Sequence, residues 1–365
     1  MLNISYELEI IIDEREKRYP IYIGNNILKF LPDILDKIKY NKIMIVSDEN
    51  VYKLYADKIS KILSDANLEY YFHIIPAGEE SKSYKFLKKG YEALLNKSFA
   101  RDGLIISLGG GVPGDLAGYL AASFMRGIKY IQIPTTLLAQ VDSSIGGKTA
   151  INLLEGKNLV GSFYQPEVVL IDIKFLETLN VREFKTGMAE VIKYGIIFDE
   201  DFFEYLSLNR NAIMKLSKEE LLHIIKRSCE IKAEIVSEDE KESGIRAILN
   251  FGHTLAHGLE AITAYKKYTH GEAVAIGMVA ASLLSYKLSI LSEEKVNLIR
   301  NIISEYNLPG EFAEDTNKIY EYLKNDKKVK DGKIRWILLN DIGKTIIKSD
   351  LDKKLILNVM EELKC

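Results

Sequence analysis

Residues 103–122, GLIISLGGGVPGDLAGYLAA, decide the fold of the first part of the chain. The apolar run to Leu108 predicts a buried strand, residues 109–114 predict a tight turn, and Asp115 to Ala122 favour a helix. The turn satisfies the GxGxxG pattern of dinucleotide-binding folds, in which glycines let backbone amides approach a pyrophosphate. The acid expected about 20 positions further on is missing, because the chain there reads YIQIP. The turn is therefore not a standard Rossmann unit, and a tight turn without a ligand is the alternative.

The residues before this unit alternate between strand-like and helix-like segments. Strands are predicted at Tyr6 to Ile12, Ile21 to Gly24, Ile43 to Ser47 and Tyr70 to Ile75, and helices at Asn26 to Lys39, Tyr52 to Leu63 and Tyr84 to Lys97. Such alternation predicts a parallel sheet with helices on both faces and ligands at the carboxyl ends of the strands. The segments SDEN (47–50) and PAGEE (76–80) then share one rim with the glycine-rich turn. Asp48 is the expected substitute for the missing ribose-binding acid.

From Thr135 the chain becomes polar and glycine-rich, which predicts loops. Lys148 and Lys157 each follow a glycine, a context that suits phosphate binding, although solvated loop lysines are an equally good interpretation. Beyond Val181 helical periodicity dominates, with one late strand at Lys333 to Leu339. The predicted fold class is α/β followed by α, with a Rossmann-like parallel-sheet domain at 1–180 and a mostly helical domain at 181–365.

The composition excludes several classes of protein. With 47% hydrophobic residues, 28% charged residues and a formal charge of -3, the chain resembles ordinary globular proteins and carries no signal for a nucleic-acid partner. No apolar run approaches the roughly 20 residues that span a bilayer, and the amino terminus is too charged for a signal peptide. We therefore expect no membrane partner and a cytoplasmic location. Cys229 and Cys365 cannot form a disulfide framework.

Three of the five histidines lie within residues 246–272, RAILNFGHTLAHGLEAITAYKKYTHGE. His253 and His257 are four apart on one helix face, and His270 lies near a helix start. Imidazole suits zinc and its neighbours in the first transition row, and a catalytic zinc takes three protein ligands. The alternative is one core histidine and two surface histidines. An HExxH motif is absent, which argues against a zinc protease.

Glu190 is the candidate for the remaining ligand. It lies in GMAEVIKYG (187–195) among apolar residues, and a buried carboxylate is costly unless it is paired or binds a metal. An ion pair of Glu190 with Lys193 or with Arg182 is the alternative.

These segments, taken together, closely resemble the 3-dehydroquinate synthase family of the sugar phosphate cyclase superfamily. The motifs that carry the resemblance are PAGEESK, GGGVPGDLAGYLAASFMRG, IPTTLLAQVDSSIGGKTAIN, GKNLVGSFYQP, GMAEVIKYG, RAILNFGHTLAHGLE, HGEAVAIGM and DKKVKDGK, in order between Asp48 and Gly332. The resemblance implies an NAD-binding α/β domain, a helical domain, and a site in the cleft between them. The implied reaction converts 3-deoxy-D-arabino-heptulosonate 7-phosphate to 3-dehydroquinate and phosphate in the shikimate pathway. Implied partners are NAD, one divalent zinc or cobalt ion, a small sugar-acid phosphate substrate and a second copy of the chain in a homodimer.

The resemblance also assigns residues to roles. The implied metal ligands are Glu190, His253 and His270, which leaves His257 as an outer or catalytic group. The implied phosphate-binding residues are Lys148, Asn158, Lys193, Asn250, His257, Arg126 and one of Lys327 and Lys328. Lys232 and Arg246 would hold the substrate carboxylate, Asp142 would meet a hydroxyl, and Glu242 matches a catalytic position. The implied NAD-binding residues are Asp48, Asn50, Glu79, Lys82, Gly110, Gly111, Asp115, Thr135, Thr136, Lys148, Lys157, Phe175 and Thr178.

Three other functions share parts of this pattern. Cyclases that make 2-deoxy-scyllo-inosose or valiolone-type products act on sugar phosphates without a carboxylate, so the presence of both Lys232 and Arg246 favours dehydroquinate synthesis. A glycerol-type metal-dependent dehydrogenase would accumulate NADH. A non-catalytic NAD-binding protein would be expected to have lost part of the metal triad.

Overall fold

The computed structural model describes residues 4–12, 17–240, 242, 244–325 and 334–365. The chain divides into two compact units, Met1–Leu179 with Leu221–Lys241 and Asn180–Glu220 with Glu242–Cys365. The division into domains 1–180 and 181–365 stays a prediction. It assigns residues 221–241 to the second domain, whereas the contacts group them with the first unit.

A seven-stranded sheet forms the centre of the first unit. The strands of this unit within the described residues are β1 (Tyr6–Ile12), β2 (Lys17–Gly24), β3 (Ile43–Asp48), β4 (Tyr70–Ile75), β5 (Leu104–Gly109), β6 (Lys129–Pro134), β7 (Lys148–Leu153), β8 (Gly156–Phe163) and β9 (Val168–Asp172). The sheet order is β1-β2-β9-β6-β5-β3-β4, and every neighbouring pair except β1 with β2 is parallel. The predicted parallel sheet is confirmed, and the carboxyl ends of β3, β4 and β5 share one rim.

The helices of the described chain are α1 (Leu31–Leu35), α2 (Glu49–Asp65), α3 (Tyr84–Asn96), α4 (Gly111–Ser123), α5 (Val181–Phe198), α6 (Glu200–Leu208), α7 (Arg210–Met214), α8 (Lys218–Glu238), α9 (His253–Ile262), α10 (His270–Lys287), α11 (Glu293–Glu305), α12 (Thr316–Asn325) and α13 (Lys353–Glu362). The second unit also contains a hairpin of β10 (Trp336–Asp341) and β11 (Lys344–Lys348). None of the described helices has both the length and the apolar character needed to cross a bilayer.

Apolar packing covers the sheet of the first unit on both faces. Along β3, Ile43 and Ile45 belong to one buried cluster, whereas Met44 and Val46 belong to the other. Because successive side chains of a strand point to opposite faces, a strand buried on both sides shows a continuous apolar run instead of alternation. These continuous apolar runs are the reason why the strands at the centre of the sheet could be predicted from the sequence.

Two segments differ from the sequence-based predictions. The helix expected at Asn26 to Lys39 is reduced to a 3₁₀ turn at Leu28–Phe30 and the short α1. The polar stretch expected to be loop contains the antiparallel hairpin β7–β8. β8 is largely exposed, so it lacks the apolar alternation that marks a strand against a core.

Helix α10 is the core of the second unit. Its residues from Ala273 to Ser285 are all buried, the pattern expected of a helix surrounded by packing partners. The hydroxyls of Ser282 and Ser285 donate to the carbonyls of Met278 and Ala281, 2.8 Å away in both cases. Their polar groups are thereby satisfied inside the apolar core.

Asp172 joins the end of β9 to the segment that follows β2. Its side chain, 1% exposed, accepts hydrogen bonds from the amides of Asn26 (2.7 Å), Leu28 (3.0 Å) and Lys174 (3.0 Å). One buried carboxylate therefore satisfies three backbone donors.

We predict that Asp172→Ala lowers the free energy of unfolding by about 3 kcal/mol or more, because each buried donor left without an acceptor costs roughly 1–3 kcal/mol. Urea denaturation of the wild type and the variant measures the difference. Asp36→Ala is the control, since Asp36 is exposed and such surface changes stay within about 0.5 kcal/mol. Equal loss in both variants would contradict the role of Asp172.

Candidate functional site

Three side chains of the second unit converge in a geometry that suits a metal ion. One ligand atom from each of Glu190, His253 and His270 lies within 4.8 Å of the others. The Nε2 atoms of both histidines are 3.7 Å from Glu190 Oε1. The three residues come from α5, α9 and α10, so helices distant in sequence build the cluster.

Two of the three helices, α9 and α10, begin with a histidine of the triad. His253 is the first residue of α9 and follows Gly252, whose φ of 78° is in the left-handed region. His270 is the first residue of α10, where Thr269 and Glu272 form a capping box. Capping fixes the backbone direction at a helix start. The start of α10, and with it the backbone of His270, is therefore fixed by local structure.

Close backbone contact brings the two helices together. A Cβ atom at Gly277 of α10 would lie 1.9 Å from the carbonyl oxygen of Gly252. A side chain there would push the start of α9, and His253 with it, away from α10. Gly277 thus allows the approach that the triad requires.

Glu190 is fully buried, with 0% exposure, and neither of its carboxylate oxygens accepts a hydrogen bond within the described part of the chain. The ammonium of Lys193 contacts Oε2 as an ion pair. Of the two alternative ion pairs, the structure contains this one, since Arg182 instead pairs with Glu272 at 2.7 Å. A buried carboxylate without hydrogen bonds is costly. The donor set of one carboxylate and two imidazoles fits a divalent ion of the zinc class.

The charge of Glu272 is stabilised next to His270. Burial acts to raise the pKa of Glu272, but hydrogen bonds from Arg182 and Thr269 outweigh it and hold the pKa below its usual value. Arg182 also donates to the carbonyl of Lys267 at 2.9 Å. The segment that leads into His270 is thereby anchored.

The other predicted site residues of the second unit have the following contacts. The ring of His257 contacts the ring of His253 edge-on, with centroids 5.7 Å apart, and His257 is not part of the triad. Asn250 donates to Glu242, and Arg246 is 1% exposed. Lys327 and Lys328 lie outside the described residues.

Glu260 is a neighbour that the sequence analysis missed. Its Oε1 lies 3.4 Å from His270 Nδ1. The spacing of 253, 257 and 260 places three polar groups on one face of α9, and this was the available signal.

The rim of the sheet in the first unit brings together several predicted NAD-binding residues. Asp48 caps α2 by accepting from the amides of Asn50 (2.9 Å) and Val51 (3.1 Å). Gly110 precedes α4 directly, so the amino-terminal end of α4, which favours anions, opens at the carboxyl end of β5.

Lys82 joins two other predicted residues of the first unit. Its ammonium forms an ion pair with Asp115 and donates to Asn158. Burial raises the pKa of Asp115, and Lys82 opposes this shift. The Nζ atom of Lys157 lies 3.9 Å from Glu79 Oε1.

Asn152 connects these pairs and was not predicted. Its Nδ2 donates to Glu79 Oε1 (2.8 Å), and its Oδ1 accepts from the amide of Asn158 (2.9 Å). Asn158 has a φ of 55°, an uncommon backbone conformation that such a bond helps to hold. Asn152 sits in β7, which the sequence analysis had treated as loop.

The other predicted residues of the first unit are placed as follows. The amide of Thr135 donates to the carbonyl of Gly109 at 3.0 Å, and the hydroxyl of Thr136 accepts from the amide of Ala139 at 3.1 Å. Phe175 is buried, the hydroxyl of Thr178 bonds that of Tyr55, and Arg126 lies exposed in a turn. Lys148 begins β7, Gly111 begins α4, and Lys232 forms an ion pair with Asp142. Lys232 also donates to the backbone carbonyl of Asp142 at 2.6 Å.

Comparisons with known proteins identify relatives over most of the chain. Residues 72–186 match the model of the 3-dehydroquinate synthase N-terminal domain, and residues 187–329 match that of the C-terminal domain. The chain is 47% identical over 344 residues to 3-dehydroquinate synthase of Caldanaerobacter subterraneus subsp. tengcongensis, covering 93% of this chain and 96% of that one.

Solved structures of sugar phosphate cyclases share the fold. One is 2-deoxy-scyllo-inosose synthase complexed with carbaglucose-6-phosphate, NAD+ and Co2+, with a TM-score of 0.90, 26% identity, and coverage of 98% of this chain and 100% of that chain. Another is 2-epi-5-epi-valiolone synthase from Streptomyces hygroscopicus subsp. jinggangensis with NAD+ and Zn2+ bound, with a TM-score of 0.88, 26% identity, and coverage of 94% and 96%.

We predict that Glu190→Gln lowers zinc affinity by more than the roughly 10–100-fold that loss of an outer partner of a metal ligand causes, because the charged ligand of the triad is removed. Competition with a chromophoric chelator measures the affinity. Glu183→Gln is the control, since Glu183 is exposed on the same helix. Unchanged affinity in Glu190→Gln would exclude Glu190 as a ligand.

Proposed function

The chain belongs to the 3-dehydroquinate synthase family, and from this premise we propose that it converts 3-deoxy-D-arabino-heptulosonate 7-phosphate to 3-dehydroquinate and inorganic phosphate. The reaction class is that of a carbon-oxygen lyase. The observation that carries the proposal is the convergence of Glu190, His253 and His270 on one point in the second unit.

We propose NAD and one divalent zinc or cobalt ion as cofactors. Two related cyclases contain NAD+ with Zn2+ or Co2+, and the convergence of Glu190 with His253 and His270 supports a metal here. When bound, the ion supplies Lewis-acid polarisation of a substrate hydroxyl, and NAD supplies a hydride acceptor that is regenerated in each cycle. With both groups bound, oxidation at C5 would acidify the neighbouring C6 proton and allow phosphate to leave, and reduction of C5, ring opening and an intramolecular aldol would then close the carbocycle.

Residues of the first unit are assigned to NAD. The amino-terminal end of α4 at Gly110 favours the pyrophosphate, and we assign Lys157 and Lys82 to the same cofactor. Asp48 already accepts two backbone amides, which holds its carboxylate at the end of β3, and we assign it to a ribose hydroxyl.

Residues of the second unit are assigned to the phosphate group. Lys193 is buried beside Glu190, so its ammonium is held in one place by an ion pair. Asn250 and His257 supply further hydrogen-bond donors. Such donors bind the phosphate oxygens and hold the leaving group, which we propose takes the C6 proton itself. Glu242 orients Asn250 by accepting its amide hydrogen.

Lys232 and Arg246 are assigned to the substrate carboxylate. An arginine offers a planar fork that matches a carboxylate, and a lysine adds a point charge. Lys232 is held by Asp142, which we assign to a substrate hydroxyl. A homodimer, in which Arg126 would reach the phosphate of the neighbouring copy, and a cytoplasmic location stay predictions.

We predict that the purified protein, supplied with NAD and zinc or cobalt, releases phosphate from the heptulosonate phosphate and not from glucose 6-phosphate or sedoheptulose 7-phosphate. The reason is that only the first substrate has a carboxylate for Lys232 and Arg246. A phosphate-release assay with all three compounds tests this, and release from either sugar phosphate alone would favour the other cyclases.

Absorbance at the NADH band in the same reactions tests the dehydrogenase alternative. A cyclase returns each hydride and shows no net NADH, whereas a glycerol-type dehydrogenase accumulates it. Stoichiometric NADH formation without phosphate release would overturn the proposed function.

We predict that Lys232→Ala and Arg246→Ala each raise KM for the heptulosonate phosphate by about 10–100-fold, because a hydrogen bond to a charged group contributes roughly 1.5–3 kcal/mol. Metal content by mass spectrometry should stay at the wild-type level. Arg246→Lys keeps the charge in case the buried site does not tolerate alanine. Lys226→Ala is the control on the same helix as Lys232, and loss of metal from either alanine variant would contradict the assignment.

A further inference from the structure

Each histidine of the triad presents its Nε2 atom to Glu190, so each must direct Nδ1 elsewhere. His253 Nδ1 lies 3.1 Å from the carbonyl oxygen of Phe251. His270 Nδ1 lies 3.4 Å from Glu260 Oε1. A neutral imidazole that binds a metal through Nε2 carries its proton on Nδ1 and needs an acceptor there. The two rings thus have acceptors of different kinds, a backbone carbonyl and a carboxylate.

We propose that Glu260 is a positioning residue for the metal site, which orients His270 and increases the basicity of its Nε2. The inference rests on the proposed function, because it concerns the metal assigned there. Glu260 is 5% exposed, and burial of a carboxylate is costly without a partner. A donor on His270 offsets that cost and fixes the ring.

The helix α9 gives Glu260 a rigid base. Glu260 is seven positions after His253, two helical turns away on the same face. One helix therefore carries a ligand of the ion and the group that orients another ligand. Because both are fixed to the same backbone, the distance between His253 and the orienting carboxylate is fixed too.

The backbone of His270 is held separately from its ring. The capping box of Thr269 and Glu272 holds the helix start, and Glu314 contacts Lys267 and Tyr268 just before it. These bonds fix where His270 begins but leave the rotation of the imidazole open. Glu260 contacts the imidazole itself at Nδ1, on the opposite side from Glu190, which faces Nε2.

Glu260→Ala and Glu260→Gln test the proposal, with Glu314→Gln as the matched control that loosens the preceding segment without touching the imidazole. Zinc and cobalt affinities are measured by competition with a chelator, together with the visible absorption spectrum of the Co(II) protein. We expect Glu260→Ala to bind about 10–100-fold more weakly than the wild type and to show a shifted Co(II) spectrum. Glu260→Gln keeps an acceptor oxygen without the charge and should fall between the two.

Glu314→Gln should retain the wild-type affinity and spectrum. Wild-type affinity and an unchanged Co(II) spectrum in Glu260→Ala would overturn the proposal, even if its melting temperature fell, since the carboxylate would then only stabilise the fold. If Glu260→Ala does not fold, the Glu260→Gln variant decides. Wild-type metal affinity and an unchanged Co(II) spectrum in that variant would show that the charge of Glu260 does not contribute to metal binding. A wild type that binds neither ion overturns the metal site of the proposed function, which is a different result from normal binding in both Glu260 variants.

Discussion

The carboxylate of Glu190 lies in the middle of α5, away from water, with no hydrogen bond to either oxygen within the described residues. Such a group is stable only beside positive charge. Lys193 supplies one charge from the next turn of the same helix, and two imidazoles face the same oxygen. The arrangement resembles a ligand set assembled in advance, and the rest of the second unit can be understood as the packing that holds it.

Three features of that packing act on the same point. α10 is buried along most of its length, so its position is determined by contacts on all sides. Gly277 allows the start of α9 to lie against it, and Arg182 anchors the segment before His270. Because each feature restrains a different element, the triad does not depend on loop flexibility. This is the rigidity that a site needs when its ligands must be placed within fractions of an ångström.

In the first unit, hydrogen bonds and ion pairs hold the polar side chains at the rim of the sheet. Parallel strands end at one rim, where a helix start and several charged pairs meet. Asn152 holds Glu79 and the unusual backbone of Asn158 together, and its own amide donates to the carbonyl of Lys82 at 2.8 Å. A neutral side chain thus organises charged ones. The role of Asn152 was not predicted from the sequence, because its side chain has no ionisable group that would mark it as a site residue.

The sequence by itself determined the alternation of strands and helices, the rim on which the polar segments lie, and the resemblance that separated His253 from His257. These features are local, since strand and helix periodicity and motif spacing depend on neighbouring residues. Only the tertiary structure decided that Lys193 and not Arg182 pairs with Glu190, that Glu260 faces His270, and that a polar stretch forms β7 and β8. The choice between Lys193 and Arg182 depends on Glu272 of α10, which pairs with Arg182 instead. Glu260 faces His270 because of how α9 and α10 pack, and β8 forms because it pairs with β7.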